Sequence, residues 1–240
     1  MARITNKGIS GLVGTVVLYT MNGKDYVRSR PARRKKKGQK QRPENSIFGE
    51  VSKYGSGLIK MMSGSFLFPF KLTTYNTVRG WMRNQYALHK DDADWSLSAK
   101  RNIMCQLNPG ADIRDFLAKD ITVSDNGNGR ITVNIPAINP VEDINALAGT
   151  EKVTLKLVAV TSAFRIAAHV NNHCMEQYSF NYNNTDLPSK SIILDTKAKP
   201  ADIAMVVLAF EFTYVVNGEV VINKGSKWLP AAIVAMGRLQ

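Results

Sequence analysis

Residues 8–42 read GISGLVGTVVLYTMNGKDYVRSRPARRKKKGQKQR, and this stretch combines a hairpin pattern with the densest positive charge of the chain. Residues 12–19 are rich in β-branched and aromatic side chains, and Tyr26 and Val27 begin a return strand. Between them, Asn22 and Gly23 supply the positive φ angles that a two-residue hairpin turn requires. Pro31 has no N–H to donate, so we expect the paired strands to end before it.

The segment that follows the hairpin is uniformly basic. Residues 28–42 contain nine basic side chains and no acid, so they carry +9 of the net charge of +13. Clustered Lys and Arg release counterions from a phosphate backbone, which favours nucleic acid, and they also suit an acidic protein surface. A solvated arm is the alternative interpretation. The candidate polyanion-binding residues are Arg28, Arg30, Arg33, Arg34, Lys35, Lys36, Lys37, Lys40 and Arg42.

A helical segment is predicted to follow this basic arm. Residues 44–62 and 74–90 place apolar side chains at spacings of three and four, which indicates one face of a helix in each case. Residues 65–72 form a short apolar run broken by Pro69 and are predicted to be a loop that packs inward. Residues 96–107 are predicted to form a third, short helix that ends at Asn108-Pro109-Gly110.

From residue 120 onward the pattern changes to strands separated by turn signals. Examples of these signals are SDNGNG at residues 124–129, the segment 171–173, and Asn217-Gly218. The predicted strands are residues 121–123, 130–135, 152–160, 164–170, 176–182, 191–195, 204–216, 219–223 and 228–236. This spacing is typical of an antiparallel, Ig-like β-sandwich.

The fold prediction is therefore a mainly β chain of the α+β class. Its predicted domains are an N-terminal β-hairpin and basic arm (1–43), a short helical segment (44–110) and a C-terminal antiparallel β-sandwich (111–240). The 240 residues and the 44% apolar content support a buried core of this size.

No arrangement of residues in the sequence points to catalysis, to a metal or to a cofactor. The three histidines, at 89, 169 and 173, stand in no Ser/Asp or Cys/His motif. His173 and Cys174 are adjacent, but neighbours on a strand point to opposite faces and cannot pair. The two cysteines form no disulfide framework, which favours a reducing compartment. Asp91, Asp92 and Asp94 fit a helix start better than a cation loop.

The glycines at 8, 11 and 14 are interpreted as positions of bulges or close chain approach. A phosphate loop would need a following Gly-Lys-Ser/Thr and a helix, and neither is present. Residues 1–8 contain no apolar run, so we expect no signal peptide and synthesis in the cytoplasm, with incorporation into a virion or another assembly. No stretch reaches the ~18 consecutive apolar residues of a membrane helix, so no membrane span is predicted.

Several residues of the hairpin also form a recognisable signature: Gly8, Gly11, Gly14, Val16, Val17, Tyr19, Gly23, Lys24 and Arg28-Ser29-Arg30-Pro31. This signature resembles the N-terminus of an uncharacterised family common in Bacteroidetes, a domain of unknown function. Residues 32–42 depart from that family in being more uniformly basic. The resemblance brings no activity, cofactor or catalytic residue with it, and it implies a non-enzymatic protein.

Two functions fit these observations. The first is a structural or assembly protein, such as a phage-type virion or filament component, that associates with copies of itself through the hairpin and the basic arm. The alternative is a nucleic-acid-binding module that uses residues 28–42. Deletion of those residues distinguishes them, because a binding module should lose its nucleic acid and an assembly protein should lose its oligomer contacts.

Overall fold

The computed structural model describes residues 3–5, 8–30, 43–89, 96–97, 105–162, 171–200 and 202–240. The chain divides into two compact units, Met1–Pro43 and Glu44–Gln240.

The N-terminal unit is a four-stranded antiparallel sheet. Its strands are β1 (Arg3–Thr5), β2 (Gly8–Val13), β3 (Val16–Met21) and β4 (Lys24–Ser29), in the order β1-β2-β3-β4. The β3–β4 turn contains Asn22 at φ 53° and Gly23 at φ 73°, which confirms the predicted hairpin turn. The strand-forming residues 12–19 do not form one strand, because the chain turns at Gly14 and Thr15, with Gly14 at φ 56°.

The second unit begins with two helices, α1 (Pro43–Ser63) and α2 (Leu72–His89). Both were predicted within two residues at each end, and the periodic residues Leu58, Met62, Val78 and Met82 are buried as expected. The loop between the helices places Phe66, Phe68 and Phe70 against the same apolar cluster, which confirms that it packs inward.

A third helix over residues 96–107 is not formed at the described ends of that range. Ser96 pairs with Arg238 in an isolated bridge, and β5 (Cys105–Gln106) pairs with Ala232 and Ile233. Cys105 therefore lies in an extended segment, because a sheet edge is available to it and its side chain is buried there. Residues 98–104 lie outside the described part of the chain.

The rest of the unit is almost entirely strands. In chain order the elements are β6 (Thr122–Asp125), β7 (Arg130–Ile135), α3 (Pro140–Asp143), β8 (Thr150–Ser162), β9 (Asn171–Asn181), β10 (Lys190–Asp195), β11 (Ile203–Val216), β12 (Glu219–Ile222) and β13 (Ala231–Arg238). They form a three-stranded sheet in the order β10-β7-β6 and a six-stranded sheet in the order β5-β13-β11-β8-β9, with β12 paired to β11. The mainly β, antiparallel prediction is confirmed.

The turn predicted around residues 171–173 is wrong. Asn171, Asn172 and His173 all lie in β9, where they pair with Ser162, Thr161 and Val160 of β8. The long, apolar β8 provides a continuous row of backbone partners, and this pairing outweighs the turn preference of two asparagines. The strand predicted over residues 164–170 lies outside the described residues.

The six-stranded sheet is covered on both faces. Val153, Leu155 and Leu157 of β8 face a core shared with β7 of the three-stranded sheet. Val158 and Val160 of the same strand face a second core, which includes residues of α1 and α2. Each fully buried aliphatic side chain stabilises the fold by about 1.5–3 kcal/mol. The second unit therefore has three layers: a small sheet, a central sheet and a helical layer.

The central strand shows this two-sided burial most clearly. All ten residues from 203 to 212 are buried, since β11 lies between β8 and β13 and both of its faces are covered. Among the described residues, no helix is long and apolar enough to cross a bilayer.

Candidate functional site

Almost all of the net positive charge belongs to the N-terminal unit. Residues 1–43 contain twelve Lys and Arg and one acid, whereas residues 44–240 contain twenty Lys and Arg and eighteen acids. The net charge is therefore +11 in the first 43 residues and +2 in the other 197. A charge this concentrated attracts polyanions to the N-terminal unit rather than to the rest of the chain.

The predicted polyanion-binding residues are found at the end of β4 and beyond it. Arg28 lies in β4 and Arg30 directly follows it, and both are exposed. The backbone N–H of Arg30 donates to the carbonyl of Thr15 at 2.6 Å, which holds the end of β4 against the start of β3. The remaining predicted residues lie outside the described residues: Arg33, Arg34, Lys35, Lys36, Lys37, Lys40 and Arg42.

The N-terminal sheet leaves its side chains accessible. No residue of β2, β3 or β4 is buried, and every residue of β4 is exposed. Ile4 is 83% exposed and Val27 is 65% exposed. A small sheet is ordinarily stabilised by covering an apolar face, so this surface is suited to receiving a partner.

Cross-strand pairing sorts these side chains into two faces, because directly paired residues share a face and neighbours along a strand alternate. We name one the aromatic face; it consists of Leu12, Val17, Tyr19, Met21, Lys24, Tyr26 and Arg28. We name the other the aliphatic face; it consists of Val13, Val16, Leu18 and Val27, beside Gly11, Thr20, Asp25 and Ser29.

The aromatic face is organised around one cross-strand pair. Tyr19 and Tyr26 are directly opposite each other, with ring centroids 5.5 Å apart and ring planes 19° apart. The guanidinium carbon of Arg28 lies 5.5 Å from the centre of the Tyr19 ring, within cation–π range. The pair therefore places two parallel rings and a cation together on an accessible surface.

The single acid of residues 1–43 lies away from this pair. Asp25 is on the side of the aliphatic face, where its carboxylate accepts a hydrogen bond from the Thr20 hydroxyl. The same hydroxyl oxygen accepts from the backbone N–H of Ile9 at 2.9 Å. Gly8, at φ 115°, lies so close to Thr20 that an added Cβ would overlap its side chain. The interpretation of this glycine as a point of close chain approach is confirmed.

The second unit contains a polar cluster that the sequence does not reveal. The Ser65 hydroxyl and Nε2 of His173 are 2.9 Å apart, although the two residues are 108 positions apart in the chain. His173 points towards Ser65 while Cys174 packs against the opposite core, so the two neighbours lie on opposite faces as predicted. None of the described contacts gives His173 a carboxylate partner, which a catalytic Ser–His pair would need to orient the imidazole.

A buried ion pair lies beside this cluster. Nζ of Lys156 and Oε1 of Glu211 are 2.5 Å apart, with only 12% and 10% of the two side chains exposed. Lys156 also donates to the carbonyl of Ser65 at 3.5 Å. These contacts join the loop after α1 to strands β8, β9 and β11, so we interpret the cluster as structural.

Neither thiol has the character of a nucleophile. Burial raises the pKa of Cys105 to about 11, and burial also raises the pKa of Cys174. Both side chains therefore remain thiols at neutral pH, and the thiolate is the reactive form. Within the described residues, no group of three or more His, Cys, Asp or Glu side chains could hold a metal ion.

Cysteine reactivity tests this environment. At about pH 8 in the native protein, Cys105 is expected to react with the disulfide reagent DTNB at least about a hundredfold more slowly than after unfolding, since it is buried and protonated. A Cys174→Ala variant isolates the Cys105 signal, and Cys105→Ala is the matched control. Equal rates for Cys105 in the native and unfolded chains would contradict the burial of this side chain.

One cleft of about 360 Å³ lies between α2 and β5. It is lined by Thr73, Thr74, Thr77, Trp81, Cys105, Gln106 and Pro109. This lining contains no acid, base or histidine, so it offers shape and hydrogen bonds but no group for proton transfer at neutral pH.

Comparison of the chain with protein-family models, with curated proteins and with solved structures gives no match. The resemblance of the hairpin to the Bacteroidetes family therefore remains a prediction.

Proposed function

We propose that this protein is a non-enzymatic structural or assembly protein, such as a phage-type virion or filament component, that self-associates through its N-terminal unit. The observation that carries the proposal is the N-terminal sheet, in which no residue of β2, β3 or β4 is buried. Four strands whose apolar side chains are only partly covered gain further stability by packing against another surface.

The aliphatic face is the surface proposed for a second copy of the chain. Val13, Val16, Leu18 and Val27 lie together without a cation among them, and Val13 and Val27 are at least half exposed. Because the same patch is present on every copy, two copies can bury it against each other in an isologous contact. The aromatic face carries Lys24 and Arg28, whose charges would repel a second copy at that side.

The alternative function is a nucleic-acid-binding module, and one specific observation favours it. Twelve basic residues against one acid in residues 1–43 exceed what solubility requires. The two functions are compatible, because assembly brings several units of charge +11 together and their repulsion requires counter-anions.

The aliphatic face is tested by replacing Leu18 and Val27 with Thr, which keeps the strand preference of both positions and removes their apolar ends. The double variant is expected to run in size-exclusion chromatography with light scattering as a 26.6 kDa monomer, whereas the parent forms larger species. The matched control is Val220→Thr in β12, a strand valine that is 72% exposed in the second unit. The proposal is wrong if the parent protein is itself monomeric, or if the control dissociates as the variant does.

A further inference from the structure

The self-association proposed above does not use the aromatic face of the N-terminal sheet. Tyr26 is 37% exposed, and its ring is stacked on Tyr19 with the two planes 19° apart. Lys24 and Arg28 lie on the same face, and both are exposed. A partly exposed pair of nearly parallel rings bordered by cations matches the two chemical parts of a nucleic acid strand, its bases and its phosphates.

We propose that the aromatic face binds single-stranded nucleic acid, with Tyr19 and Tyr26 stacking on bases and Lys24 and Arg28 contacting phosphates. This inference is separate from self-association, which uses the opposite face of the sheet. It also differs from binding by the basic arm alone, because it assigns base contacts to the folded strands β3 and β4.

The distribution of charge supports a nucleic acid as the occupant. Asp25, the one acid in residues 1–43, lies on the other face with its carboxylate bonded to Thr20, so within the N-terminal unit it does not stand beside the tyrosine pair to repel phosphates. In the sequence, Arg28 and Arg30 are followed by seven basic residues at 33–42, which add to the positive charge of this unit. Acidic side chains would satisfy the cations but would supply no planar base to stack on the tyrosine pair.

The rings select single strands over duplexes. In a duplex the bases are already stacked on each other and their faces are inaccessible, whereas an unpaired base can stack on a tyrosine. A cross-strand tyrosine pair also stabilises a hairpin by itself. The test therefore needs a readout that depends on bases and not only on the stability of the sheet.

The experiment measures the binding of two polyanions to the full-length protein. Fluorescein-labelled oligo(dT) of about 20 nucleotides is followed by fluorescence anisotropy, and heparin, a polyanion without bases, is measured by competition with it. Tyr26→Leu is expected to weaken oligo(dT) binding about tenfold and to leave heparin binding unchanged. Tyr26→Phe is expected to bind as the parent does. Tyr26→Trp is expected to bind oligo(dT) at least as tightly as the parent, a result that a folding defect cannot produce. Tyr214→Leu in β11 is the control outside the face.

A second substitution separates the contribution of phosphate contacts from that of base stacking. Arg28→Ala is expected to weaken both probes and to reduce the slope of log affinity against log salt on oligo(dT) by about 0.7. The proposal is overturned if Tyr26→Leu binds oligo(dT) as the parent does, or if the Leu, Phe and Trp variants lose oligo(dT) and heparin affinity equally. Self-association is proposed for the opposite face of the sheet. A monomeric parent protein would therefore overturn the proposed function, but it would not change the expected effect of Tyr26→Leu on oligo(dT) binding.

Discussion

A protein that lacks residues 1–42 is expected to fold and to lose both its self-association and its affinity for polyanions. Among the residues that the structure describes, the members of both hydrophobic cores lie from Leu58 onward, so the truncation removes none of these side chains. It does remove twelve basic residues and one acid, which lowers the net charge from +13 to +2. Thermal unfolding, light scattering and elution from heparin report the three properties separately.

A second variant separates the contribution of the N-terminal sheet from that of the basic arm. It keeps residues 1–30 and replaces the seven basic residues of 33–42 with Gln. We expect it to retain the oligomeric mass and to elute from heparin at much lower salt, because the aliphatic face is intact and the arm is neutral. A truncated protein that retains both its mass and its heparin affinity would show that the N-terminal unit is not the interface.

Loss of one partner of the buried ion pair is expected to destabilise the second unit strongly. Glu211→Ala leaves the ammonium group of Lys156 buried without its carboxylate, which should cost about 3–5 kcal/mol of unfolding free energy. Urea denaturation followed by tryptophan fluorescence measures this change as a shift of the midpoint at constant slope.

The control for this prediction is the double variant Lys156→Met with Glu211→Leu. Replacing both charges with apolar side chains of similar length removes the unpaired charge, so most of the lost stability should return. If Glu211→Ala unfolds within about 1 kcal/mol of the parent, the pair is hydrated and does not behave as a buried one.

The sequence predicted elements wherever a strong local signal and tertiary packing agree. Asn22-Gly23 is such a case, and it also determines which residues face each other, since a two-residue turn there pairs Tyr19 with Tyr26. The two helices follow from their apolar spacing. The turn at Gly14 and Thr15 was missed because the surrounding residues are uniformly strand-forming and Gly-Thr is a weak turn signal.

Other elements depend on partners far along the chain. Ser96 and Cys105 are extended because they meet β13, more than a hundred residues away, and no local pattern indicates this. Asn171 and Asn172 pair with nearer residues, Ser162 and Thr161, and their strand conformation depends on how far β8 extends.

The candidate site likewise has one feature that the sequence predicts and others that it does not. Its charge is visible in the sequence, because nine basic residues occur within fifteen positions. The exposure of the sheet that precedes them is not visible, since alternating apolar residues ordinarily indicate a buried face. The Ser65–His173 contact and the Lys156–Glu211 pair could not be predicted, because each depends on the register and packing of the central sheet.

We propose that the N-terminal unit is an interface both for copies of the chain and for nucleic acid. The most direct test is size-exclusion chromatography of the untagged full-length protein at low and high salt, with light scattering and absorbance at both the nucleic acid and the protein wavelengths. We expect a mass of several subunits at both salt concentrations, with bound nucleic acid that high salt removes. A 26.6 kDa monomer with the absorbance of protein alone at both salt concentrations would contradict the account.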